Sequence, residues 1–162
     1  MRDFDRDGTQ DLVIVNETSN GISYLAGIGN GSFLDRVNYP LDPLPFSVAV
    51  EDYDGNGTLD LAVAVSTVDQ VQIFSGTGDG TFQYGDQLAT GSMPHFVATG
   101  DFNGDGKPDL AVANSGSNTI SLLFNTTPMI EPLCAWLRGS GCYRSKESSE
   151  SSLIGATLLS ID

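Results

Sequence analysis

Oxygen-bearing side chains recur three times in this 162-residue chain with one spacing. The segments are Asp3 to Asp11 (DFDRDGTQD), Asp52 to Asp60 (DYDGNGTLD) and Asp101 to Asp109 (DFNGDGKPD), each beginning 49 residues after the last. Counted from the first Asp, side-chain oxygens stand at positions one, three, five and nine. These are Asp3, Asp5, Asp7 and Asp11; Asp52, Asp54, Asn56 and Asp60; and Asp101, Asn103, Asp105 and Asp109. Position six is glycine in every copy (Gly8, Gly57, Gly106). In a tightly curled loop alternate residues point to one side. Glycine, free of a Cβ, permits the reversal that turns the carbonyl of position seven (Thr9, Thr58, Lys107) inward. The resulting all-oxygen shell suits Ca²⁺, which takes six to eight oxygen ligands, better than Mg²⁺ with its strict octahedron. Zinc would call for His or thiolate, and the loops hold neither.

Asp, Asn and Gly also make ordinary turns. Three copies with the same oxygen positions argue for more than a turn, and so does charge. The first loop crowds four carboxylates and the others three each, and like charges at such range repel unless a cation or protons intervene. The loop is not an EF-hand, which needs a Glu at position twelve and flanking helices. Position twelve is Ile14, Val63 or Val112, inside an apolar run (Leu12–Val15, Leu61–Val65, Leu110–Ala113) that reads as a strand.

The elements that carry the loops follow the same period. A strand at Phe46–Val50 or His95–Thr99 precedes the loop, and the apolar run follows it. Third strands are expected at Val71–Phe74 and Thr119–Phe124, and fourth strands at Arg36–Leu41 and Gln83–Thr90. Paired glycines before an aromatic (Gly29 to Phe33, GNGSF; Gly78 to Phe82, GDGTF) mark the hairpin turn before strand four. The second strand is apolar throughout, the signature of burial on both faces. Four-stranded units of this length, each with a face only a neighbour can cover, describe the blades of a β-propeller. The aromatics that recur in register (Phe33, Phe82, Tyr53, Phe102) are expected in the core, and the irregular Tyr24, Tyr39 and Tyr84 at the surface.

Composition excludes several classes. Twenty-one acidic against seven basic residues give a net charge of −14, which leaves no basic surface for nucleic acid. No stretch approaches the roughly 20 apolar residues of a membrane span. Catalysis has little to work with. His95, the single histidine, occupies the strand position of Phe46 one repeat earlier, and the paired carboxylates are taken up by the loops. The chain is therefore expected not to be an enzyme.

The calcium-type nonapeptide followed by Leu-Ala-Val-Ala, together with the Gly-[Asn/Asp]-Gly-[Ser/Thr]-Phe turn, resembles FG-GAP repeats. These include the VCBS-type repeats of large secreted and surface proteins, and their loops are similar to those of integrin alpha-chain propellers. The resemblance covers residues 1 to about 127, as units of about 1–44, 45–93 and 94–127. It implies an all-β partial propeller of about 2.5–3 four-stranded blades holding up to three Ca²⁺. The implied ligands are Asp3, Asp5, Asp7, Thr9 and Asp11; Asp52, Asp54, Asn56, Thr58 and Asp60; and Asp101, Asn103, Asp105, Lys107 and Asp109. It further implies an extracellular or cell-surface module for adhesion or protein interaction, with carbohydrate binding or service beside a secreted enzyme as alternatives. Family rings usually close with about seven blades, so further blades from a longer parent chain or from other copies are expected.

Two ends depart from the repeat. Met1-Arg2 runs straight into the first loop with no signal peptide and no preceding strand, which reads as a piece of a longer polypeptide. From Pro128 the pattern stops, and residues 128–162 are expected to be a linker or a poorly ordered tail. Cys134 and Cys142 lie there, and a short disulfide and two free thiols both fit. Asn-x-Ser/Thr triplets begin at Asn16, Asn30, Asn56 and Asn125; chance in turn-rich sequence and glycosylation both fit, though a glycan on Asn56 would conflict with its place in the loop.

Overall fold

The computed structural model describes residues 1–127; the linker or tail expected over 128–162, with both cysteines, lies outside the described residues. Three antiparallel sheets follow one another along the chain. The first holds β1 (Leu12–Asn16), β2 (Gly21–Leu25) and β3 (Val37–Pro40) in that order. The second holds β4 (Pro45–Glu51), β5 (Asp60–Val65), β6 (Gln70–Gly76) and β7 (Phe82–Ala89). The third holds β8 (Pro94–Gly100), β9 (Asp109–Asn114) and β10 (Thr119–Leu123). The protein is thus an unclosed partial propeller with one complete blade between two three-stranded ones. The first blade lacks the strand ahead of its loop, and the third has no fourth strand among the described residues. No helix among these residues is long and apolar enough to cross a membrane.

The apolar run at residues 60–65 explains why the sheets stack. All six residues of β5 are buried, and their side chains alternate between two cores as a pleated strand requires. Leu61, Val63 and Val65 join Phe4, Ile22, Tyr24, Phe74 and Phe82 between the first and second blades. Ala62 and Ala64 join Tyr53, Val71, Ile73, Leu110, Val112 and Leu123 between the second and third. Burying a large apolar side chain contributes about 1.5–3 kcal/mol, so each blade is held mainly by its neighbours.

That dependence corrects two expectations. Tyr53 and Phe82 are in the core, but Phe33 and Phe102 are 36% and 47% exposed. They hold the same repeat positions in the outer blades, where no further blade covers them among the described residues. Tyr24, expected at the surface, is buried, and Tyr39 is half-buried with its ring edge-to-face on Phe74 and Phe82. Only Tyr84 of the three is exposed.

Candidate metal centre

Each nonapeptide folds into a nest of side-chain to backbone hydrogen bonds. The position-one carboxylate reaches across the loop: Asp3, Asp52 and Asp101 accept from the N–H of Gly8 (3.0 Å), Gly57 (2.7 Å) and Gly106 (2.9 Å). Position three accepts from the N–H of position five in every copy (Asp5 from Asp7, Asp54 from Asn56, Asn103 from Asp105). Position five accepts from position seven (Asp7 from Thr9, Asn56 from Thr58, Asp105 from Lys107). These successive Asx turns curl the backbone tightly. Gly8, Gly57 and Gly106 have φ of 89°, 85° and 83°, the left-handed region glycine enters freely. Position four is left-handed too, with Gly55 and Gly104 in the later loops but Arg6, at φ 63°, in the first.

Position nine does something different. Asp11, Asp60 and Asp109 are fully buried, and both carboxylate oxygens of each fasten the loop to the sheet. One accepts from the N–H of position two (Phe4 2.8 Å, Tyr53 2.9 Å, Phe102 3.0 Å). The other accepts from a residue just past strand three or at its end, namely Gly27, Gly76 or Asn125, at 2.8 Å in each case. The approach is so close that a Cβ on Gly76 would lie 2.1 Å from the Leu59 carbonyl oxygen. Asn125, buried in the third blade, uses its own Nδ2 to donate to the Tyr53 carbonyl at 2.7 Å, tying that hairpin to the second loop. Residues 27, 76 and 125 keep the 49-residue interval while changing type, so only the interval could have marked them from sequence.

In the first two loops these constraints bring like charges together. Asp3, Asp5 and Asp11 place carboxylate oxygens within 4.8 Å of one another, and so do Asp52, Asp54 and Asp60. Asp60 is pushed up to about 6 by burial, held back in part by the Gly76 and Tyr53 N–H groups. Asp54 is also raised, first by desolvation and then by its neighbour Asp52. Asp5 is raised by desolvation and by the charges of Asp11, Asp7 and Asp3, against the Asp7 N–H bond. Asp3 Oδ1 is buried with no hydrogen-bond partner. A buried carboxylate oxygen left unpaired among like charges is costly, and a hard cation is the group that removes that cost. The donor set fits one. Asp11 Oδ1 and both oxygens of Asp60 keep a lone pair for a metal beside their one backbone bond, while Asp11 Oδ2 also accepts from the Tyr24 hydroxyl.

Asp7 and Asn56 stand outside those clusters and are engaged by threonine. Thr9 Oγ1 donates to Asp7 Oδ1 (2.6 Å) and to the Gly27 carbonyl (2.9 Å), a bridge between loop and hairpin. Thr58 Oγ1 reaches Asn56 and, at 2.8 Å, the Gly76 carbonyl. The Thr9 bond is the leading cause that holds Asp7 below the usual carboxylate range.

The third loop is built differently. Position three is Asn103, and no third cluster of acidic groups forms among the described residues. Lys107 replaces the threonine. Its Nζ lies 4.0 Å from Asp105 Oδ2 and donates to the Thr127 carbonyl at 2.6 Å. Asp101 is held low, chiefly by the Gly106 N–H.

One contact that the spacing gave no sign of joins two loops. The guanidinium of Arg6 donates to the Gly57 carbonyl of the second loop, so a cation from the first blade lies beside the next acidic turn.

Comparison with known proteins agrees in phase with this geometry. A family model described as an FG-GAP-like repeat matches residues 3–63 and again 52–112. Both matches begin on the first Asp of a loop and run into the apolar strand of the following blade. No curated protein and no solved structure matches the chain. Since the two matches together span most of the sequence and the same hydrogen-bonded loop stands at the start of each, this protein belongs to the FG-GAP-like repeat family.

Proposed function

We propose that this chain is a calcium-binding propeller module of an extracellular or cell-surface protein, serving adhesion or protein interaction without catalysis, and that its metal is structural. The observation that carries the reading is the gathering of three carboxylates in each of the first two loops, with Asp3 Oδ1 buried and unpaired. Bound Ca²⁺ supplies charge neutralisation at the point where the loop carboxylates converge. The chain's own residues do the rest. Positions one, three and five hold the loop curled, position nine locks it to the sheet, and Phe4 and Tyr53 at position two plug into the cores between blades. A ligand bound only by the folded state stabilises it by about 2.7 kcal/mol per site at a hundredfold excess over Kd, and extracellular modules work with sites in the 10⁻⁴–10⁻³ M range.

The non-catalytic part of the reading leans on His95, the single histidine, which is exposed with its ring 4.1 Å from that of Phe46 on the neighbouring blade. A sugar-binding alternative would rest on Tyr84, the one exposed tyrosine of the irregular set.

Calorimetric titration with Ca²⁺ tests the proposal. Two tighter sites and a weaker third are expected, with a higher melting temperature in calcium than in chelator. Equal melting temperatures in the two buffers would remove the structural role.

A further inference from the structure

Asparagine is followed by glycine at Asn20, Asn30, Asn56 and Asn103. In such a pair the glycine nitrogen can attack the asparagine side-chain carbonyl carbon, because no Cβ on the glycine stands in the way. The fold treats the four pairs differently. Exposure is not what separates them, since Asn30, Asn56 and Asn103 are all exposed.

Attack requires the glycine nitrogen to give up its proton. In the second and third loops that N–H donates to the position-one carboxylate, Gly57 to Asp52 and Gly104 to Asp101, both at 2.7 Å. The proton is held there, and a nitrogen anion beside a carboxylate is disfavoured by like charge. The side-chain amides are pinned as well. Asn56 Oδ1 accepts from the Thr58 N–H at 2.6 Å while its Nδ2 donates to Asp54 at 2.7 Å. Asn103 bonds Asp105 through both atoms. Gly21 is buried at the start of β2, in register with Asn16 and Pro40, and Asn20 Oδ1 accepts from the Leu44 N–H at 3.4 Å. The Gly31 N–H, by contrast, has no hydrogen-bond partner among the described residues. Asn30 Oδ1 accepts from the Ser32 N–H at 2.9 Å, which polarises the carbonyl under attack.

We propose that Asn30 is a site of spontaneous deamidation, and that the hydrogen bonds of the acidic loops shield Asn56 and Asn103 from the same reaction. The Gly31 nitrogen bonds to Asn30 Cγ, and its proton leaves with the side-chain nitrogen as ammonia, closing a cyclic imide. Water then opens the imide at either carbonyl, giving aspartate or isoaspartate. The net change is one water taken up and one ammonia released, and it adds a negative charge to a chain already at −14. The aspartate product has a counterpart in the chain. Forty-nine residues on, Asp79 holds the same turn and accepts from the Thr81 N–H at 3.0 Å. The Thr77 N–H meets the Thr81 carbonyl at 3.0 Å there, as the Ile28 N–H meets the Ser32 carbonyl at 3.1 Å. The isoaspartate product instead lengthens the backbone inside that closure by one carbon. The inference rests on chain chemistry and does not depend on the metal reading.

Ageing the full chain tests it, at mildly alkaline pH in chelator and at a temperature where circular dichroism shows the chain folded. Digestion at acidic pH and peptide mass spectrometry then follow the gain of about one dalton at each asparagine. The Asn30 peptide should convert first. Asn56 and Asn103 should lag by at least about tenfold, the ratio expected when a hydrogen bond to a carboxylate must break before attack. Asn20 should lag with them. In urea the four should converge, because glycine follows each. Asn30→Gln, which needs a larger and slower-closing ring, should lose the early mass gain. Equal rates at Asn30 and Asn103 in the folded chain would overturn the shielding, and a ranking that persists in urea would assign it to sequence rather than fold. An Asn30 that stays intact, or an early mass gain that survives in Asn30→Gln, would overturn the site.

Discussion

Phe4 and Phe82 meet edge to face with ring centroids 5.5 Å apart, joining the first acidic loop to the second blade. Phe4 stands between Asp3 and Asp5 in sequence, and its own N–H is held by Asp11. The residue that plugs the interblade core is therefore part of the loop that gathers the carboxylates. Curling the loop and stacking the blades are one structural event.

Phe4→Ala should accordingly lower stability by about 3–5 kcal/mol, the usual cost of deleting a buried aromatic ring. Phe102→Ala removes the same repeat position where no neighbouring blade stands among the described residues, and should fall within about 0.5 kcal/mol of wild type. Urea unfolding of the two variants side by side checks the contrast. Equal losses would mean that the position matters within its own loop and not through the neighbouring blade.

Position nine and position three should separate on mutation. Asp60→Asn puts an amide NH₂ against one of the two backbone donors at Tyr53 and Gly76, and a buried donor left unpaired costs about 1–3 kcal/mol. That loss should appear in chelator as well as in calcium. Asp54→Ala removes a carboxylate whose hydrogen bonds, to Asn56 and Asp52, stay within the loop. It should cost little in chelator and lower calcium stoichiometry by one. Thermal melts and titration calorimetry on both variants read the difference.

The period of 49 residues made the blades and loops legible, because each depends on residue types that repeat: glycine for reversal, oxygen side chains for the nest, an aliphatic run for the buried strand. Features that depend on a neighbour were harder to read. Phe33 and Phe102 match Phe82 and Tyr53 in type and register, yet their exposure depends on a neighbouring blade, and none stands beside them among the described residues. Tyr24 is buried because its hydroxyl finds Asp11 at 3.1 Å and its ring finds Phe4 and Phe82, partners that no local pattern names. The fastening role of Asp11, Asp60 and Asp109 was hidden for the same reason. Their spacing marks them as ligands, while one of the two N–H groups each holds comes from 16 residues further along the chain.

Acid should expose a contribution from the turn between β6 and β7. The hydroxyls of Thr77 and Thr81 and the Thr81 N–H hold Asp79 at about 2, below its usual 3.8. A lowered carboxylate stabilises the fold above its unfolded pKa and loses that contribution as pH falls through the folded value. The contribution of Asp79 is thus complete above about pH 4 and fades toward about pH 2. In Asp79→Asn this part of the pH dependence should vanish, while the titration of the loop carboxylates remains. Denaturation at pH 4 and at pH 2.5 in both proteins isolates the term, and identical slopes would show that Asp79 adds nothing.

The third loop offers a test by gain. Asn103 and Lys107 stand where the second loop has Asp54 and Thr58, while Asp105 stands where it has Asn56. Restoring a carboxylate with Asn103→Asp supplies the acid that position three provides in the first two loops. Replacing Lys107 with Thr removes a cation that lies 4.0 Å from Asp105. Each change makes the site more negative by one charge, and a unit charge at about 4 Å near a protein surface is worth roughly 4 kcal/mol before screening. Exposure and salt reduce that severely, so an increase in affinity of about tenfold per substitution is the expected scale. Calorimetry should show the weak third site approaching the other two in the double variant. If affinity does not rise, loop geometry rather than charge limits binding there.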